Sequence, residues 1–217
     1  MPKKQKKQQP RLQICKTSVI DTLTVFIIRF VSNVFWIIVD IFSYDNAKIA
    51  KRYEQSVGQE YKREYATLNL SKEKKILHIG CGSYPLTELS LAELFDVHIT
   101  GIDKNKKAVL RAKKIIKQKN LENSIRIEMG NGTKYPMNDF DLIIVSSCAL
   151  PKKEILDHIF SQAKKNCKII IRDFDMYTDA FVCWIEEYND VKLEKKIYHH
   201  VPSFLPIGWN TFHLHKK

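Results

Sequence analysis

Gly80 and Gly82 flank Cys81 directly after the apolar run Ile76-Leu77-His78-Ile79, and Ser83-Tyr84-Pro85 leads from them into an amphipathic stretch. Glycines at such a place let the backbone approach a ligand, and the start of the following helix offers free N–H groups. A second apolar run ends at Asp103, 21 residues after Gly82. An acid in that position can take the two hydroxyls of a ribose. Asn131-Gly132 and Ser146-Ser147 follow two further apolar runs. These residue types hold and orient a ligand, and none of them is an obligatory base.

Residues at the ends of successive apolar runs need a scaffold that brings those ends together. The runs "DVHITGID", "SIRIEMGN", "DLIIVSSC" and "CKIIIRDFD" read as strands, and "KKAVLRAKKIIKQK" and "KKEILDHIFSQAKK" between them read as helices. In the first helix Ala108, Val109, Ala112, Ile115 and Ile116 share the inward face. A helix at "TDAFVCWIEEY" and two final strands, "KLEKKIYHHV" and "WNTFHLHKK", close the chain. This alternation predicts an α/β fold: a Rossmann-like, mostly parallel sheet with helices on both faces and a C-terminal antiparallel hairpin. Upstream, Tyr53, Val57, Tyr61 and Tyr65 recur every four residues and predict a helix docked on the sheet domain or serving as a lid.

The 217 residues carry 36 Lys and Arg against 24 Asp and Glu, a formal charge of +12 that favours anionic surfaces: membrane, nucleic acid or phosphate. Lysines concentrate in the first 16 residues and in Lys104–Lys119, a run without acids. The five cysteines have no metal-ligand spacing and suit a reducing, intracellular setting. Cys148 is expected in the core, and His199, His200, His213 and His215 on the surface of the last strands rather than on a metal.

Residues 19–42 are apolar enough to raise three readings. Ser18, Thr22, Arg29, Asn33, Asp40 and Ser43 fall on one stripe of a helix. A spanning helix puts Arg29 near the bilayer centre, at a cost of about 2.5 kcal/mol or more. A helix in the membrane interface suits the stripe and the preceding lysines. A helix packed on the domain needs a partner over most of its circumference. The interfacial reading is preferred, with residues 1–43 dispensable for ligand binding. The expected organisation is a basic tail at 1–16, a hydrophobic membrane-associated helix at 17–43, a helical lid or linker at 44–72 and the sheet domain at 73–217.

A dinucleotide-binding turn needs a third glycine where Pro85 stands, so NAD and NADP are expected to bind poorly. From Lys74 to Lys217 the chain resembles the class I S-adenosyl-L-methionine-dependent methyltransferases. "HIGCGS" is similar to their first motif, "ITGID" to the second, "EMGNGTKYP" to the adenine-side segment and "FDLIIVSSC" to the fourth. The resemblance implies a cofactor site made by Gly80, Cys81, Gly82, Ser83, Asp103, Lys104, Asn131, Gly132, Ser146 and Ser147. Asp103 would bind the ribose, and Asn131 would lie beside the adenine. The acid that many relatives carry two residues before the first glycine is His78 here.

The segment "IGCGSYPLTELSLA" is also similar to the glycine turn of nicotianamine synthases, which transfer the aminocarboxypropyl arm of the same cofactor. Tyr65, Tyr84, His78 and Asp173 are catalytic candidates by location alone, and no metal is expected. The preferred function is methyl transfer to a lipid-like or small-molecule acceptor at the cytoplasmic face of an anionic membrane. Aminocarboxypropyl transfer, RNA methylation and an inactive cofactor-binding subunit are the alternatives. Nucleic acid is a less favoured partner than membrane.

Overall fold

The computed structural model describes residues 19–68, 70, 74–174, 178–199 and 208–217. The basic tail at 1–16, Ser18, Cys15 and His200 lie outside the described residues, as do the side chains of Thr22 and Arg29. Seven strands form one sheet: β1 (Lys75–Ile79), β2 (His98–Asp103), β3 (Ile125–Met129), β4 (Leu142–Val145), β5 (Lys168–Phe174), β6 (Val191–His199) and β7 (Trp209–Lys216). Their order is β3-β2-β1-β4-β5-β7-β6. The first five are parallel, and β7 enters antiparallel between β5 and β6.

Both faces of the parallel strands are buried, which is why they read as continuous apolar runs. Ile76, Ile99, Ile125, Leu142 and Ile144 pack on one side, beneath α4 (Leu86–Leu94) and α5 (Lys106–Gln118). Leu77, Ile102, Ile143, Val145 and Ile171 pack on the other, beneath α6 (Lys152–Gln162) and α7 (Thr178–Ile185). The five expected inward residues of α5 are all buried, and Asn105 caps its start through Lys107 N–H at 3.0 Å.

The N-terminal helix α1 (Val19–Asp45) ends where Asn46 caps α2 (Ala47–Tyr53) by accepting from Lys48 N–H. A π-helical turn, Glu54–Gly58, joins α2 to α3 (Gln59–Tyr65). Among the described residues no helix is long and apolar enough to cross a membrane. The polar stripe of α1 faces protein: Asn33 and Ser43 are buried, with Ser32 beside them, while Phe30, Val31, Ile37, Ile38 and Phe42 are exposed. Trp36 sets its ring against Tyr53 and Trp209 at 6.2 and 6.4 Å. Of this stripe, Asp40 finds its partners in the domain, the N–H groups of Ser83 and Tyr84.

Candidate functional site

In sheet order, β1 lies between β2 and β4, so the crevice beyond its carboxyl end is the switch point of the sheet. Gly80 and Gly82 sit there with φ of +87° and +70°, values that L side chains rarely adopt. A Cβ on Gly80 would lie 3.2 Å from Ser146 Cβ and 3.3 Å from Ala149 Cβ. A Cβ on Gly82 would lie 2.6 Å from Asp40 Oδ1. Gly80 N–H and Cys81 N–H both donate to Ile102 O, which ties the turn to β2.

A cavity of about 520 Å³ opens over this turn. The structure brings to its wall Gly80, Cys81, Gly82, Ser83, Asp103, Lys104, Ser146 and Ser147 from the expected set, together with His78 and Tyr84. Asn131 and Gly132 line a smaller hollow that shares Gly80, Asp103, Lys104 and Cys148 with the main cavity. Asp103 Oδ2 accepts from Gly82 N–H at 3.1 Å, and its Oδ1 accepts from Asn105 N–H at 2.8 Å. Asn131 Oδ1 accepts from both the N–H and the hydroxyl of Thr133, which fixes its own turn.

The catalytic candidates divide. His78 has both ring nitrogens engaged, Nδ1 with Glu88 at 2.7 Å and Nε2 with the Ser146 hydroxyl at 2.8 Å. The Tyr84 hydroxyl donates to Glu54 at 2.6 Å, and burial beside that carboxylate raises its pKa. Tyr65 does not reach the cavity wall. It is fully buried, its hydroxyl accepts from Arg172, and burial raises its pKa too. Asp173 is likewise buried on β5 away from the wall, opposite Asn210 of β7. Neither is placed to touch a ligand in the cavity.

Other residues were not expected at the site. Asp40 of α1 accepts from Ser83 N–H at 2.7 Å and Tyr84 N–H at 2.8 Å. Desolvation outweighs these bonds and raises its pKa to about 6. Arg172 lies 3.6 Å from the Tyr61 ring centroid and donates to Thr87 at 3.0 Å. Trp36, Tyr53, Tyr61 and Trp209 complete an aromatic wall. Cys148, expected in the core, lines the cavity instead, and burial raises its thiol pKa. His199 and His213, expected on the surface, are buried beside Glu64, 3.4 and 3.0 Å from its carboxylate. No three-residue metal cluster occurs among the described residues.

The glycine turn, the acid at the end of β2 and the sheet order converge on one family, and a family model described as "Methyltransferase domain" matches residues 70–211. The chain belongs to this methyltransferase family. An uncharacterized protein of Haemophilus influenzae is 30% identical to it over 110 residues, 48% of this chain and 43% of that one. Phosphoethanolamine N-methyltransferase 1 of Arabidopsis thaliana is 28% identical over 152 residues, 67% of this chain and 30% of the relative. The chain thus spans less than half the length of these curated relatives. Among solved structures, the nicotianamine synthase MtNAS in complex with MTA and tNA superimposes with a TM-score of 0.61 at 14% identity, covering 82% of this chain and 69% of that one. The [4+2]-cyclase SpnF gives 0.62 at 12% identity, covering 76% and 83%. A cyclase and a synthase on one methyltransferase-like scaffold show that the fold leaves the reaction open.

The methyltransferase family uses S-adenosylmethionine, and the residues present suit that group. Gly80 and Gly82 hold the turn at φ values that L side chains rarely adopt, and Asp103 is oriented by two N–H groups with acceptor capacity to spare.

Proposed function

We propose that this protein transfers the methyl group of S-adenosylmethionine to a lipid-like acceptor at the cytoplasmic face of a membrane. One observation carries the lipid side of this reading. The cavity lining includes Ile37 and Ile41 of α1, whose outer face is apolar and exposed, and Lys107 and Arg111 of α5. Arg111 and Lys114 stand over the Tyr44 ring at 5.1 and 5.9 Å, so the basic face of α5 adjoins the end of α1. An apolar strip, a cationic rim and a cavity between them match an anionic lipid headgroup with its chains alongside.

The bound sulfonium supplies an activated methyl carbon open to in-line displacement. The protein's part is to position, to exclude water and to hold charge. The aromatic wall of Trp36, Tyr53, Tyr61 and Trp209 excludes water, and Asp103 fixes the ribose end. Ser146, held by His78, and Ser147 border the space for the acceptor.

A second reading rests on the Pro85-Leu86-Thr87 turn and the likeness to MtNAS: transfer of the aminocarboxypropyl arm. Identifying the spent cofactor separates the two. Full-length protein given labelled S-adenosylmethionine and anionic vesicles containing phosphatidylethanolamine is expected to release S-adenosylhomocysteine and leave label in the lipid extract. Methylthioadenosine would establish the second reading instead. The protein is also expected to float with anionic vesicles and to be released by salt. Failure to float removes the lipid acceptor.

A further inference from the structure

The glycine turn is ringed by carboxylates, and one of them comes from outside the sheet domain. Asp40 reaches from α1 across 43 positions of sequence to the N–H of Ser83 and lies directly over the bare face of Gly82. It lines the cavity. Among the described residues no lysine, arginine or histidine forms an ion pair with it, and the charged neighbour acting on it is Asp103, a second anion. A desolvated carboxylate facing another carboxylate, with no cation between them, leaves a place for a cationic group.

The same cavity holds a complementary feature. Arg172 Nε and Trp209 Nε1 are buried N–H donors without a partner, on side chains 1% and 6% exposed that line the wall. Buried donors left in this condition are uncommon and point to a ligand acceptor. A cavity offering a carboxylate with no cationic partner among the described residues, and N–H donors without an acceptor, suits a zwitterion, an α-amino acid group. His78 cannot supply the negative charge, because its ring is neutral or cationic and is bound on both nitrogens.

We infer that Asp40 binds the α-ammonium of the cofactor's amino-acid arm, so that the N-terminal helix is part of the cofactor site. The inference rests on the S-adenosylmethionine reading proposed above. It reverses the expectation that residues 1–43 are dispensable for binding.

Calorimetry with two ligands tests it on the full chain. S-adenosylhomocysteine carries the amino-acid arm, and methylthioadenosine lacks it. In Asp40→Asn the affinity for S-adenosylhomocysteine is expected to fall at least about tenfold, while that for methylthioadenosine stays within about twofold. A tighter S-adenosylhomocysteine complex would make Asp40 a plug that the ligand must displace. An equal loss for both ligands would make it a support for the turn alone, and no change would give it no part in binding. Each of these overturns the inference. If the variant fails to fold, the wild-type protein carries the test. Between pH 7.5 and pH 5 its affinity for S-adenosylhomocysteine should weaken as Asp40 takes up a proton, and that for methylthioadenosine should not. Parallel or flat profiles overturn the inference. Wild-type protein that binds neither ligand overturns the cofactor reading beneath it.

Discussion

Asp103→Ala is expected to weaken S-adenosylhomocysteine binding at least tenfold and to leave the domain folded. The carboxylate ends β2 half-exposed, so its removal opens no core cavity. Two of its lone-pair sites are taken by Gly82 N–H and Asn105 N–H, and the others can accept ribose hydroxyls. Each hydrogen bond to a charged acceptor contributes about 1.5–3 kcal/mol, so losing two gives an effect of at least about tenfold. Asp103→Asn retains one acceptor oxygen and should fall between alanine and wild type. Calorimetry checks the series, and unchanged affinity in the alanine variant would remove the ribose assignment.

Glu64→Ala is expected to be the most destabilising change outside the cavity. Glu64 comes from α3 and is fully buried. It lies 3.8 Å from Arg172 and 3.0 Å from His213, and Thr211 donates to it at 3.4 Å. Breaking such a buried pair leaves an arginine with no counter-charge, at a cost of about 3–5 kcal/mol. In a chain of this size that lowers Tm by roughly 6–20 °C. Replacing both partners by apolar residues, as Glu64→Leu with Arg172→Met, should restore part of the loss.

The pH dependence has a definite sign. Burial alone would raise the Glu64 pKa, but the Arg172 charge and the two histidines outweigh burial and hold it at about 2, below the ordinary 4.5. The stabilisation is therefore complete above about pH 4.5 and is lost as pH falls toward 2. Thermal melts should show that acid limb in wild type and not in the alanine variant. A variant melting within about 2 °C of wild type would contradict the network's role.

The strands, the helices between them and the glycine turn could be read from the sequence, because each is a local pattern. Gly80, Gly82 and Asp103 occupy one crevice because the sheet brings the ends of neighbouring strands together. Asp40 could not be read in the same way. Periodicity groups Asn33, Asp40 and Ser43 on one face of α1, but it does not say whether that face meets water, headgroups or protein. Its partners, the N–H groups of Ser83 and Tyr84, lie in a turn that carries no mark of needing an acceptor. Arg172 gave a partial sign, as a charge inside the apolar run "KIIIRDFD". A buried arginine needs a carboxylate, but Glu64 is separated from it by most of the sheet domain, and only the docking of α3 joins them. His213 alternates with the apolar Phe212 and Leu214 as a surface residue does, yet it and His199 turn inward, where Glu64 receives them.

The π-helical turn at Glu54–Gly58 has an angular consequence. Residues of an α-helix advance about 100° each, so every four-residue step overshoots a full circle by about 40°. From Tyr53 through Val57 and Tyr61 to Tyr65 the drift would reach about 120° and carry the ends of the series onto different faces. A π turn accommodates one extra residue and winds back about 100° of that drift. Tyr53 and Tyr61 can then both face the cavity, and Tyr65 can reach Arg172 just beneath it. The same rotation sets the azimuth of everything upstream. Winding the same residues as an uninterrupted α-helix would swing α2 and α1 about the helix axis by roughly 100° and point Asp40 away from Gly82, whereas deleting one residue from the turn would restore a regular helix with both elements still in phase.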